Sequence, residues 1–369
     1  MKICIYSPYI PKHFGGGEKY LFNVAEILTK KHQVYIAVAG NKNLNKEQKD
    51  QYRKNYEKFL NKDFSKIKFI ASPLGTNANF SKKLAWTKKF DLIYYATDGS
   101  LFFSLAKKNI LHVQVPFKLN KSSVLEKLKL ANWQVKNTNS YFTKRIIEKY
   151  WPTKVNLVHQ PMVETEDFQL NDAGIKKKEK VILSVGRFFT QLHSKRQDVL
   201  VNIFKELIKK YPQATKGWKL VLIGNVEDEN YAQEVQKMAK DLPVEIYHDV
   251  SRKKLVDWYK KASIYWHTAG FGYDEEEYPE KMEHFGIVTI EAMAAACAPV
   301  VIGKGGQVEV LGQDLADYLW QNKADCIEKT IQLIKDKELR FSVQQKAAHR
   351  ALAFDSAGFE KKLWLMLNM

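Results

Sequence analysis

At 369 residues, with 45% hydrophobic and 27% charged residues, the chain reads as a soluble globular protein with apolar content for two ordinary domains, and no window approaches the roughly eighteen uncharged apolar residues of a membrane span. Three scattered cysteines, Cys4, Cys297 and Cys326, show neither CxxC spacing nor a neighbouring histidine pattern, which argues against a disulfide framework or a zinc site and for reduced, structural thiols. The formal charge of +18 sits in the first half, where residues 1–165 carry 29 Lys and Arg against 11 Asp and Glu, and this excess fits either an acidic partner (an anionic membrane surface, a phosphorylated substrate or nucleic acid) or a solvated face that aids solubility.

The start, Met1-Lys2-Ile3-Cys4-Ile5-Tyr6, has the look of a first buried strand rather than a signal peptide, so the product is expected to remain in the cytosol. The strand runs into Pro8-Tyr9-Ile10-Pro11 and then Phe14-Gly15-Gly16-Gly17-Glu18, after which Tyr20, Leu21, Val24, Ala25 and Leu28 recur at helical spacing. Residues 34–38 supply the next strand. A glycine turn feeding a helix suits close approach of a phosphate or sugar, although GGG is neither GxGxxG nor a P-loop and would equally serve a sharp βα turn. From Asn41 to Lys68 spaced Tyr52, Tyr56, Phe59, Leu60 and Phe64 make a basic amphipathic segment, suited to an anionic bilayer or to ordinary packing through its apolar side. Strands follow at Ile67–Ala71, Leu92–Tyr95 and Ile110–Val115; His112 and Gln114, two apart on the last, are expected to share a face. A second basic stretch, Lys118 to Lys149, carries Leu125, Leu128, Leu130, Trp133, Phe142, Ile146 and Ile147, which again fit a membrane-facing surface, with core packing expected for most.

A short strand at residues 155–161 leads into acidic Glu164-Thr165-Glu166-Asp167, and Lys176-Lys177-Lys178 precedes a new strand; the domain boundary is placed at 165–178. The second half restarts with Val181 to Arg187, a loop to Ser194, and Lys195-Arg196-Gln197-Asp198 opening a helix with Val199, Leu200, Ile203, Phe204, Leu207 and Ile208. Arg187 at the strand's end and Lys195 at the helix's start would both face the carboxyl edge of a parallel sheet, where two cations can neutralise a diphosphate. Further βα units follow: 219–223 with Gly224, 244–247 with His248-Asp249-Val250, and 263–267. The loop Asp274-Glu275-Glu276-Glu277 lacks DxD spacing and is expected to be a solvated or substrate-contacting lid rather than a metal cage. A last helix is predicted over Val343 to Leu367, kinked at Ala357-Gly358, with Phe359, Leu363, Trp364 and Leu367 packing back on the first domain.

Between these units lies Glu283-His284-Phe285-Gly286-Ile287-Val288-Thr289-Ile290-Glu291, followed by the helix-favouring Ala292-Met293-Ala294-Ala295-Ala296-Cys297. Glu291 is therefore expected on a helix and Glu283 just above its N-terminus, a natural anion site, with Gly286 letting a ligand approach the backbone. Eight helical residues would separate the two glutamates by about 12 Å, beyond the roughly 5–10 Å of working carboxylate pairs. They are expected to touch different parts of one extended ligand.

Taken together, Gly15-Gly16-Gly17 after strand one, Val185-Gly186-Arg187 followed by Lys195, Gly224, and Glu283-x7-Glu291 with Phe285-Gly286 resemble retaining glycosyltransferase family 4. The resemblance spans essentially the whole chain and is most specific in the second half. It implies an α/β GT-B fold of two Rossmann-like domains facing a central cleft: an acceptor-binding domain over 1–165, a nucleotide-sugar-binding domain over 166–350, and a helix over 351–369 returning to the first. It further implies that Arg187, Lys195 and the amides of Phe285, Gly286 and Ile287 hold the donor diphosphate, that Glu283 sits by the transferred sugar, and that Glu291 binds the ribose hydroxyls. Gly16, Gly17, Gly224 and Val250 complete the donor-binding set, with Glu283, His112 and Gln114 as catalytic candidates. Many family members carry a histidine where Gln114 stands, so both Gln114 and His112 are retained.

The family is generally metal-independent and needs no cofactor beyond its nucleotide-sugar substrate. The segment from Trp266 to Gly286 also looks like mannosyltransferases that elongate lipid-linked oligosaccharides, which implies a hexose passed from GDP-mannose or a UDP-sugar to a lipid-linked or polysaccharide acceptor in cell-envelope glycan synthesis. The expected place is the cytoplasm, peripheral at the inner face of the plasma membrane. Sugar-nucleotide epimerases of GT-B layout are disfavoured by Glu283-x7-Glu291 with Arg187 and Lys195; a basic nucleic-acid-binding protein rests on charge alone, with no zinc-finger or RNP-like pattern.

Overall fold

The computed structural model describes residues 1–11, 14–40, 43–118 and 123–369. The chain divides into two compact units, Met1–Pro161 with Phe359–Met369, and Met162–Gly358. Residues 41, 42 and 119–122, which belong to the two predicted basic segments, lie outside the described residues.

The first unit runs β1 (Lys2–Tyr6), α1 (Gly16–Leu28), β2 (Gln33–Val38), α2 (Lys46–Leu60), β3 (Ile67–Ala71), α3 (Phe80–Thr87), β4 (Leu92–Thr97), β5 (Lys108–Val113), α4 (Val124–Asn132), β6 (Val135–Thr138), α5 (Tyr141–Tyr150) and β7 (Leu157–Val158). Its seven strands are parallel in the order β3-β2-β1-β4-β5-β6-β7. Strands buried on both faces read as near-continuous apolar runs, and the period of two still decides which layer each side chain meets. Tyr6, Ile93, Tyr95, Leu111 and Val113 join Leu130 of α4 and Ile147 of α5, with Trp86 of α3 against them. The alternate residues Tyr94 and His112 face the other way, against Tyr20 of α1.

The structure sorts the amphipathic segments. Tyr56 of α2 is wholly buried and stacks on Phe22 at 4.1 Å, so this helix spends its apolar side on the core. In the second basic stretch Leu130, Trp133, Phe142, Ile146 and Ile147 are core residues, whereas Leu125 and Leu128 are exposed. Strand β6 was hidden inside that stretch because its sequence, Val-Lys-Asn-Thr, looks polar, yet Asn137 and Thr138 are fully buried.

The second unit contains α6 (Asp172–Lys176), β8 (Glu179–Val185), α7 (Gln197–Lys210), β9 (Lys219–Ile223), α8 (Glu229–Ala239), β10 (Val244–Tyr247), α9 (Arg252–Lys261), β11 (Ala262–His267), α10 (Ile287–Ala294), β12 (Ala298–Ile302), α11 (Gln307–Leu311), β13 (Leu319–Trp320), α12 (Lys323–Lys335) and α13 (Lys337–Ala351). Its six parallel strands follow the order β10-β9-β8-β11-β12-β13. Gly186 and Gly224 stand just past β8 and β9, and a side chain on Gly224 would collide with the Gly186 carbonyl. These glycines let two strand ends meet backbone to backbone.

The predicted final helix is two helices. It breaks at Leu352–Phe354, ahead of the kink expected at Ala357-Gly358, and α14 (Ser356–Asn368) restarts where Asp355 accepts the Gly358 N–H at 2.8 Å, a side-chain cap on the new helix's N-terminus. Phe359–Met369 belong to the first unit: Phe359 stacks on His159 at 4.1 Å, Leu363 and Met366 are buried, and Trp364 packs beside His32. Cys4, Cys297 and Cys326 are buried and free. No helix among the described residues is long and apolar enough to cross a membrane.

Candidate active site

At the carboxyl edge of the second sheet, a lysine and a histidine converge on one carboxylate. Lys195 precedes α7, His267 ends β11, and Glu283 lies three residues before the N-cap of α10. Lys195 Nζ forms an ion pair with Glu283 Oε2, the two side chains being only 11% and 12% exposed. His267 Nε2 donates to the same oxygen at 2.9 Å, while Glu283 Oε1 has no protein partner among the described residues. A side chain on Gly186 would strike the Lys195 stem, so that glycine is what allows the lysine to cross the strand end. The Thr268 hydroxyl fixes the loop by donating to the Lys195 carbonyl at 2.5 Å.

The electrostatics favour a charged Glu283 ringed by neutral imidazoles. Burial alone would raise the Glu283 carboxyl, but the Lys195 ammonium and the His267 hydrogen bond overcome it and hold it well below the usual carboxylate range. Burial lowers His267, despite the opposing pull of Glu283, and lowers His284 to about 4. His193, packed 4.8 Å from the His284 ring, is lowered well below its ordinary value by burial and then by His284. His193 was not singled out from the sequence, and His267 and His284 stood there only as members of the quoted motifs, with no role of their own, because isolated histidines carry no periodic signal.

Glu283 adjoins the N-terminus of α10. Gly286 is its N-cap at φ +119°, in a conformation that favours glycine, and supplies no side-chain cap. The N–H groups of Gly286, Ile287 and Val288 have no acceptor among the described residues, the first bonds being those of Thr289 and Ile290 to the Gly286 carbonyl. Such a helix end carries about half a positive charge and free donors. Gly305 and Gly306 press so closely on Glu283 and Phe285 that neither could bear a side chain, and Gly306 N–H donates to the Glu283 carbonyl at 2.7 Å. Behind Gly286 lies wholly buried Gln307, whose two amide atoms have no partner among the described residues.

Glu291, on α10 as expected, belongs to a separate cluster. It accepts from Arg252 at 2.8 Å and from the Tyr259 hydroxyl at 3.1 Å and is 4% exposed. The two glutamates therefore serve different neighbourhoods, and sequence reading missed that Arg252 covers the second. Arg187 is more loosely held, to Glu227 at 2.7 Å, to His193 at 3.3 Å and over the Phe189 ring. Val250 is partly buried against the core in the turn before α9. Within the acidic loop, Asp274 accepts from the N–H groups of Glu276 and Glu277, both at 2.8 Å, and Glu275 accepts from Gly305 at 2.6 Å. Among the described residues no group of three or more His, Cys, Asp or Glu side chains could hold a metal ion.

In the first unit Gly15 is the N-cap of α1, which opens with Gly16 and Gly17, and the Gly15 N–H donates to Glu18 at 3.0 Å. Gln114, just past β5, lies on Gly17 and donates to its carbonyl at 3.4 Å, an approach that only a glycine at 17 permits. His112 does not share that surface. It is wholly buried, its ring stacked on Tyr20 at 4.1 Å, and its Nδ1–H donates to Asn137 Oδ1. Its neighbours form a closed network in which His159 Nε2 donates to the Phe359 carbonyl at 3.0 Å and its Nδ1 accepts from Tyr20 at 2.6 Å. The strand places His112 under α1, out of reach of a substrate in this conformation.

The profile of glycosyl transferases group 1 matches residues 165–350. The GDP-Man:Man(3)GlcNAc(2)-PP-Dol alpha-1,2-mannosyltransferase of Neurospora crassa is 27% identical over 255 residues, 59% of this chain and 42% of that protein. Its human counterpart is 25% identical over 193 residues, 49% of this chain and 36% of that protein. The chain thus spans about two fifths of the length of these curated relatives. Among solved structures, HepE of Anabaena in complex with UDP superposes with a TM-score of 0.75 at 15% identity, covering all of both chains. Sucrose-phosphate synthase of Thermosynechococcus elongatus gives 0.68 at 13% identity, over 100% of this chain and 98% of that one. These likenesses show the fold, two parallel α/β units of GT-B type. With half of its length matched by the family profile, the chain belongs to glycosyl transferases group 1.

Proposed function

We propose that the protein transfers a hexose, with retention, from a nucleotide-diphosphate sugar to a lipid-linked acceptor in envelope glycan synthesis, and that GDP-mannose is the donor. The observation that carries the reading is Glu283, a buried carboxylate with Oε2 clamped by Lys195 and His267 and Oε1 unengaged, set against the open N-terminus of α10. In this reading the α10 amides and Arg187 hold the diphosphate. Arg187 is free to do so because its bond to Glu227 joins groups 43% and 46% exposed, the kind worth at most about 1 kcal/mol. Glu283 Oε1 accepts from a sugar hydroxyl, and Glu291 with Arg252 lies toward the nucleoside.

The second unit thus binds the donor and the first the acceptor, with Gly16, Gly17 and Gln114 at its entrance. No side chain need become covalently attached. The departing phosphate takes the acceptor's proton as the new glycosidic bond forms on the same face, and the protein contributes positioning and stabilisation of the leaving diphosphate. The donor and acceptor are supported by the relatives named above, which are GDP-Man-dependent enzymes of dolichol-linked substrates. The basic first unit suits work at an anionic membrane surface on the cytoplasmic side.

A thermal-shift screen of GDP-mannose, UDP-glucose and other nucleotide sugars tests the reading. A donor at a hundred times its Kd stabilises by about 2.7 kcal/mol. GDP-mannose should give the largest shift and be slowly hydrolysed, with both effects lost in Glu283→Gln. A screen in which no nucleotide or nucleotide sugar raises the melting temperature sinks the proposal; preference for a UDP-sugar overturns the choice of donor.

A further inference from the structure

Helix α4 carries its apolar residues on the wrong side for a core helix. Val124, Leu125 and Leu128 are 74%, 55% and 55% exposed, whereas Leu130 is 2% exposed and packs under the sheet. At about 100° per residue, Ala131, Val124, Leu128 and Leu125 fall in an arc of about 120° that also holds Asn132, whose side chain is bonded to the Ser104 backbone, and Leu130 stands nearly opposite its middle. Lys127 and Lys129 flank that arc, one on each side, about 40° beyond its edges. Continuing the same layer, Leu105 is 51% exposed on a loop whose Ser104 N–H donates to Asn132 at the end of α4 at 2.7 Å, and Phe80 at the start of α3 is 61% exposed.

We infer that the Val124–Leu125–Leu128 face of α4 docks on an anionic lipid bilayer; the inference rests on the lipid-linked acceptor proposed above, which it supplies with a surface to work from. An apolar ridge between lysines, on the part of the chain that holds the whole excess charge of +18, matches apolar insertion beneath anionic headgroups. A protein partner fits less well, because lysine is depleted at the core of protein–protein interfaces. The geometry also orients the molecule. In a parallel sheet a helix that follows a strand begins at the carboxyl edge, so Val124 and Leu125 lie toward the edge that carries Gly16, Gly17 and Gln114. Few apolar groups would enter the bilayer, so attachment is reversible and depends on charge.

The test is co-sedimentation of the full chain with phosphatidylcholine vesicles, with or without phosphatidylglycerol at about a third of the lipid. The wild type should bind the anionic vesicles and lose them at high salt. The triple variant Val124→Ser, Leu125→Ser, Leu128→Ser and the charge variant Lys127→Glu, Lys129→Glu should each bind at least tenfold more weakly. Donor hydrolysis should be unchanged in both, because these side chains touch nothing in the site. Equal binding by wild type and both variants overturns the inference. So does a wild type that ignores vesicles and elutes as a dimer that the triple variant dissociates, which would give the face to a second copy of the chain. Sedimentation needs neither donor nor acceptor, so vesicle binding without sugar transfer would leave this inference standing and bring down the transferase substrates proposed above.

Discussion

Lys195 pairs with Glu283 across 88 residues of sequence, and both side chains are close to sealed from water. Removing one partner of a buried pair leaves the other charge uncompensated, at about 3–5 kcal/mol, whereas replacing both by apolar groups is often neutral. Lys195→Met and Glu283→Leu should therefore each lower the unfolding free energy by that order. The double variant should recover most of it while remaining inactive, since transfer should fall by at least about a hundredfold when a preorganised charge is lost. Urea titrations and single-turnover assays on all four proteins form the cycle. Additive stability losses would show that the pair is not energetically coupled.

In the proposed reading His267, bonded to Glu283 Oε2, would act on the substrate through that carboxylate, as a positioning residue. His267→Gln can still donate to Glu283 Oε2, and His267→Ala cannot. The alanine variant should lower kcat by about tenfold or more, the range seen when supporting partners are removed, with a smaller change in the donor KM; the glutamine variant should recover part of the loss. If the alanine variant melts lower but turns over normally, His267 is merely structural.

What was legible in the sequence follows from how each signal is encoded. A strand buried on both faces is a short apolar run bounded by turns, so 219–223 could be read to the residue, and the half-buried edge strand 244–247 stood out between its turn residues. The motif around Glu283 was legible because a glycine and a following apolar helix fix its backbone. Contacts that join distant segments were not. Nothing local in His267 or His193 says that it will face Glu283, and nothing in Arg252 says that it will cover Glu291. His112 and Gln114 were read as neighbours on one face, but β5 ends at Val113 and only the residue beyond it is released to the Gly17 turn.

Arg252 and Glu291 offer a second separable pair. The Arg252 side chain is 42% exposed and the Glu291 side chain 6%, so the carboxylate depends more on the arginine than the reverse. Arg252→Ala should destabilise by about 1–3 kcal/mol through the poorly satisfied carboxylate, and raise the donor KM without moving kcat if this cluster binds the nucleoside uniformly in ground and transition states. Arg252→Lys should rescue stability better than affinity, because a lysine restores the charge but not the planar fork. An unchanged KM for the donor and for free nucleotide would place the cluster outside the donor site.

Glycine at 286 should be irreplaceable for two independent reasons. Its φ of +119° strains any side chain, and an added methyl would meet Gln307 Nε2 at 2.8 Å. Gly286→Ala should cost about 1–3 kcal/mol and weaken donor binding at the α10 N-terminus. Shortening the opposing side chain with Gln307→Ala should relieve the contact and leave the strain. Calorimetry of the two single variants and the double resolves the parts; full recovery in the double variant would assign the whole effect to packing.

Acid should loosen both units. His159 in the first and His284 in the second are held by burial to about 4, against an ordinary 6.5. Because the folded state resists protonation while the unfolded state accepts it, their stabilising contribution is complete above pH 6.5 and is lost as the pH falls through that value toward 4. Each group is worth on the order of 3 kcal/mol over that window. Glu283 acts in the same sense, since its depressed carboxyl loses its contribution below the ordinary carboxylate range. Melting temperature should fall steeply between pH 6.5 and 4. His159→Gln, which keeps a donor for the Phe359 carbonyl but does not titrate, should flatten the part of that slope contributed by the first unit. An identical slope in the variant would mean that His159 is already protonated in the folded protein or remains neutral in both states.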